Sequence, residues 1–78
     1  MKTIEEIIER ALQLKPGSVE ETDDRNTIDG WDSLGHLRIL TELDTEFEGK
    51  LAEVDELSQV KSVKGIKEVL RSRGLLAK

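Results

Sequence analysis

Aliphatic residues recur in this chain at spacings of three and four, and that period constrains its fold more than any other feature. Ile4, Ile7, Ile8, Ala11 and Leu12 make one series. Leu34, Leu37, Leu40, Leu43 and Phe47, widened by Ile39, make a second, and Val63, Ile66, Val69 and Leu70 a third. Each reads as one apolar stripe along an α-helix. Period-two alternation never lasts long enough to write a strand. Helices with a single stripe must cover one another, so the chain reads as an all-α bundle. At 78 residues it is a single domain over 1–78.

Local signals set the boundaries. Thr3 followed by Glu6 is a capping-box pattern, and Lys15-Pro16-Gly17 is a stop, which predicts a first helix over about 4–14. Residues 15–32 then form a long connection, rich in Asp and Gly, of the kind that is usually functional or disordered. Val19, Ile28 and Trp31 are its candidate anchors to the core. Asp32 is a good N-cap, with Ser33 as the first residue of a second helix over about 33–48. Gly49 would supply its left-handed end. Asp55 would cap a short helix over about 56–60 that buries Leu57 and Val60. Ser62 caps the last helix and Gly74 closes it, with Lys67, Arg71 and Arg73 facing water. The prediction is three long helices and one short one.

Composition excludes several kinds of function. With no Cys and one His, disulfides and thiolate zinc sites are ruled out. No run approaches the roughly 20 apolar residues that span a bilayer, so membrane insertion is not expected. The acids in the first apolar run are unlike a signal peptide, and the cytoplasm is the expected location. Net charge is −5 in residues 20–32, −6 in 42–56 and +5 in 61–78. The acidic middle disfavours nucleic acid and favours basic protein partners. A chain this short has little room for both a core and a deep catalytic cleft.

One segment carries more specific information. Gly30-Trp31-Asp32-Ser33-Leu34, followed by Leu37, Leu40, Leu43 and Glu46-Phe47 on one amphipathic helix, resembles the modification site of the acyl carrier and peptidyl carrier protein family. The order of helix, long loop, serine-headed helix, short helix and last helix is also similar. The resemblance implies a small four-helix bundle of acyl-carrier type and a non-catalytic role. Ser33 would bear a covalent 4'-phosphopantetheine arm, donated from coenzyme A by a phosphopantetheinyl transferase. The arm's thiol would hold acyl or aminoacyl groups as thioesters. Asp32 and Leu34 would help the transferase recognise the site, and Glu42, Asp44 and Glu46 would dock basic partners. Those partners would be an adenylate-forming ligase or acyltransferase that loads the arm, and downstream acyl-using enzymes. The chain itself is expected to be a monomer.

Two positions depart from the fatty-acid carriers of the family. Where those usually have acids, two and five residues after the modified serine, this chain has Gly35 and Arg38. The segment Trp31–Leu37 looks more like stand-alone carriers of specialised pathways. A carrier for fatty-acid synthesis is the alternative, and an unmodified helical interaction module a second. A helix-turn-helix DNA binder rests only on the basic last helix and lacks the tight turn. His36, three residues after Ser33, is placed to approach it as a base, but no third group orients it, and it reads as an exposed surface residue.

Overall fold

The computed structural model describes residues 3–51 and 54–76. Three α-helices form: α1 (Ile4–Leu12), α2 (Ser33–Glu46) and α3 (Val63–Ser72). A short 3-10 helix, Asp55–Ser58, lies between α2 and α3. No strand occurs among the described residues; a single antiparallel bridge joins Asp24 to Ser62. The expectation of an all-helical domain holds at this level. No helix among the described residues is long and apolar enough to cross a membrane. Met1 and Lys2, part of the leader reading, lie outside the described residues.

Helix α1 starts as its sequence predicts. The Thr3 hydroxyl accepts from the Glu6 N–H at 3.1 Å, and the Glu6 carboxylate accepts from the Thr3 N–H at 2.9 Å. Ile4, Ile7, Ile8 and Ala11 are buried. The helix ends at Leu12, before the expected stop at Lys15-Pro16-Gly17, because Gln13 turns left-handed with φ 58°. The Leu14 N–H then reaches the Glu9 carbonyl at 2.8 Å and satisfies the last turn. Helix α3 begins at a Ser62 cap and ends at Gly74, φ 74°, through the same type of bond from Leu75 to Leu70.

Helix α2 differs most from expectation. Its buried residues are Gly35, His36, Ile39 and Leu43, with Phe47 buried just beyond its end. Leu34 and Leu37 are each 58% exposed, and Leu40 is half-buried. At 100° per residue, Leu37 lies about 200° around the helix from Ile39, so both cannot face the core. The loop decides which face turns in, because Gly30 crosses the helix at Gly35. A Cβ on Gly35 would sit 2.0 Å from the Gly30 carbonyl oxygen. The helix ends at Glu46, and Glu48, φ 58°, is its first left-handed residue, ahead of Gly49.

Three smaller expectations are corrected. The 3-10 helix spans Asp55–Ser58 with Val54 at its cap position and no side-chain cap, so Asp55 is inside it. Lys67 is half-buried, held by the Glu5 carboxylate at 2.7 Å and within 3.9 Å of Glu21. The hydrophobic stem of a lysine packs easily while its ammonium finds acids at the edge. Val69 is half-buried, packed against the core from its rim.

The long loop is ordered by side chains that no apolar pattern reveals. Glu9 is buried, and its Oε2 accepts from the amides of Gly17 at 2.9 Å and Val19 at 3.0 Å. Val19 and Trp31 are buried and Ile28 is half-buried, so all three expected anchors meet the core. At the far side, the Arg25 N–H donates to the Lys61 carbonyl and the Val63 N–H to the Asp23 carbonyl, both at 3.1 Å. The loop is thereby tied to α1 at its start and to the head of α3 at its middle.

Candidate functional site

Asp32 has extended backbone, and its Oδ1 accepts from the Gly35 N–H at 2.8 Å, an N-cap as expected. The His36 N–H closes the first turn on the Asp32 carbonyl at 2.8 Å. Ser33 follows as the first helical residue and is exposed. The first amides of a helix have no intrahelical partners and carry the positive end of its dipole. Ser33 thus stands in solvent on a firmly capped helix end, flanked by the exposed Leu34 and Leu37.

His36 is buried, not exposed. Its Nδ1 accepts from the Trp31 indole N–H at 3.0 Å. Its Nε2 lies 2.8 Å from the Leu57 carbonyl oxygen and must donate to it. These bonds assign the neutral ring with its proton on Nε2. The two rings stack, with centroids 6.1 Å apart and planes inclined by 15°. Burial lowers the His36 pKa from the usual 6.5, helped by the charges of Lys61 and Arg25 and opposed by the Leu57 hydrogen bond. Both nitrogens are engaged, so His36 offers Ser33 no base. It clamps together the loop, α2 and the 3-10 helix. The sequence signal was local, the only Trp and the only His five residues apart, but the Leu57 carbonyl is remote.

One depression opens beside Ser33 and a second lies farther along α2. The nearer is a groove of about 230 Å³ lined by Ser33, His36, Leu37, Leu40, Ser58 and Lys61. The farther is a cleft of about 370 Å³ between α2 and the 3-10 helix. Leu40 and Ser58 stand between them and line both.

The three expected docking acids do not form one stripe. Glu42 pairs loosely with Arg10 of α1 at 3.5 Å and lines a different depression, between α1 and α2. Glu46 is half-buried and lies about 40° from Glu42 around the helix. Asp44 lies about 200° from Glu42 and lines the cleft on the opposite side. Its Oδ1 is enclosed and has no hydrogen-bond partner. Among the described residues no cluster of three or more metal-ligating side chains occurs.

Compared with protein-family models, with curated proteins and with solved structures, the chain matches none. The class that fold and site define is a small helical bundle that presents one exposed serine at a capped helix head. Its function is argued from that geometry.

Proposed function

We propose that this chain is an acyl-carrier-type protein, with the corresponding four-helix arrangement, that bears a phosphopantetheine arm on Ser33. The observation that carries the reading is the presentation of Ser33. It is exposed, held at the head of α2 by the Asp32 cap, and lines a shallow groove toward the 3-10 helix. A serine hydroxyl is a weak nucleophile, and with His36 engaged its activation must come from a partner enzyme. In the attachment step the Ser33 oxygen forms a bond to the coenzyme A phosphorus that carries the pantetheine. The bond from that phosphorus to the adenosine bisphosphate breaks, and the serine proton passes to the transferase. The positive end of α2 suits the resulting phosphodiester anion. Once bound, the arm supplies a thiol that holds an acyl or aminoacyl group as a thioester.

The neighbouring side chains fit a surface read by other enzymes. Leu34 and Leu37 project into solvent beside Ser33, where a transferase or acyl-using partner would cover them. Arg38 is exposed on the same helix. We assign the carrier to a specialised pathway on the strength of Arg38 and of the Trp31–Leu37 segment, with loading by an adenylate-forming ligase or acyltransferase.

Exposed leucines would also suit an unmodified interaction module, and one measurement separates the two. Purified chain is incubated with coenzyme A and a broad-specificity phosphopantetheinyl transferase, and its intact mass is recorded. The expected result is a gain of one phosphopantetheine, absent in Ser33→Ala. No gain, or a gain that survives Ser33→Ala, refutes the carrier reading.

A further inference from the structure

We propose that the groove between α1 and α2 docks an acidic protein segment that carries an aliphatic side chain. Arg10 and Arg38 hold the carboxylates of that segment, and Leu37 packs against its aliphatic group. The inference goes beyond the carrier reading and stands whether or not Ser33 is modified.

The groove holds about 390 Å³. Leu37, Arg38, Thr41 and Glu42 form its α2 wall, while Arg10 and Gln13 line it from α1 and the turn after it. Positions four apart differ by only about 40° around a helix, so the α2 residues make one face.

The arginines are available. Arg38 is exposed and pairs with no carboxylate among the described residues, although Glu42 follows it by four positions. Base before acid is the weaker order for such a helical pair. Glu42 instead meets Arg10 across the groove through one contact, Nη1 to Oε1, at 3.5 Å. So long a contact leaves most of the Arg10 N–H donors unused. Two positive charges therefore face one negative charge here, in a chain whose net charge is −5.

That local inversion of sign selects the partner. A basic segment, of the kind the acidic middle of the chain attracts, is repelled by both arginines. Each guanidinium offers a planar fork of donors that matches a carboxylate. Nucleic acid would meet only two cations in the groove, and the net −5 of residues 20–32 and −6 of residues 42–56 repel its phosphates. Leu37 is 58% exposed and lines both this groove and the depression beside Ser33. A small anion would leave it in water, whereas an aliphatic side chain between acids covers it.

The test uses the blocked peptide Glu-Leu-Glu-Glu-Leu-Glu as probe, titrated into the full chain and followed by backbone amide shifts. Comparators are the same peptide with Gln, or with Lys, in place of every Glu, inorganic phosphate, and duplex DNA. The expected result is saturable movement of the Ala11, Gln13, Arg38 and Thr41 amides by the Glu peptide, weakened by added salt. Arg38→Gln should raise its Kd about threefold to fivefold, and Arg10→Gln with Arg38→Gln about tenfold or more. No movement at millimolar peptide overturns the proposal, as does movement centred on the basic residues of α3. Equal responses to the Gln or Lys peptide, or binding that survives both substitutions, also overturn it. Phosphate or DNA that moves the same amides as strongly as the Glu peptide identifies a general anion site and overturns it too. Should Arg10→Gln loosen α1 from α2, seen by circular dichroism, Arg38→Gln alone decides, because Arg38 forms no ion pair in the fold.

Discussion

Replacing His36 with Phe should destabilise the domain while keeping an aromatic ring at the site. The substitution keeps a flat ring beside Trp31 and removes both polar contacts, orphaning the Trp31 indole N–H and the Leu57 carbonyl. Each orphaned buried group costs about 1–3 kcal/mol, which gives a loss of about 2–4 kcal/mol after partial relaxation. A domain of this length is stable by roughly 4–12 kcal/mol, so the loss is a large share. The melting temperature should fall by about 10–25 °C. Trp31 is the only tryptophan, so urea unfolding followed by its fluorescence, checked by circular dichroism, measures the change directly. The contribution of His36 should also depend on pH. Its folded-state pKa lies below the usual 6.5, chiefly because burial disfavours the charged ring. Above about pH 6.5 both states are neutral and the full contribution is present. As pH falls below that value the unfolded chain takes up the proton first, and stability is lost until pH has passed through the folded-state pKa. The gap between wild type and His36→Phe should therefore narrow as pH falls from 7.5 to 5, by at most about 1.4 kcal/mol per unit. A variant as stable as wild type, or a gap that does not change with pH, would refute the neutral clamp.

Two backbone positions give further predictions. Gly35→Ala gains about 1 kcal/mol of helix propensity but drives its methyl into the Gly30 carbonyl and to 3.0 Å from Leu12. Displacement of the loop should leave a net loss of about 1–3 kcal/mol, read by urea denaturation, with a changed Trp31 emission maximum; a stabilised Gly35→Ala would contradict the crossing. Glu48→Gly relieves a left-handed position, φ 58°, at the end of α2 and should stabilise by about 0.5–1 kcal/mol. A lower midpoint in the same assay would count against that assignment.

How far the sequence disclosed the fold depended on how local the cause was. The Thr3, Asp32 and Ser62 caps were legible because each side chain bonds an amide three residues away. The all-helical class followed from period alone. The facing of α2 was not legible, because two apolar series compete within one helix. Leu34, Leu37 and Leu40 make the greasier one, yet Gly35, His36, Ile39 and Leu43 face inward. The choice rests on a missing Cβ at Gly35 and on polar bonds from His36, neither of which raises hydrophobicity. Glu9 was missed for the same reason. A carboxylate that flanks an apolar stripe looks solvated until the Gly17 and Val19 amides fold back onto it.

The candidate site shows the same division, and it alters one argument about function. Ser33 and its Asp32 cap were readable as a unit. In the sequence, Gly35 stands where fatty-acid carriers usually have an acid, which sets this chain apart from them. The 2.0 Å approach of the Gly30 carbonyl supplies a packing cause that suffices. Any side chain at this position would push the loop off α2 and pull Trp31 from His36. Gly35 therefore bears on how rigidly Ser33 is held and says nothing about which enzymes bind. Arg38 is different, because it is exposed and no packing demand explains it. On the proposed carrier reading, Arg38 alone of the two departures argues for a partner unlike those of fatty-acid carriers.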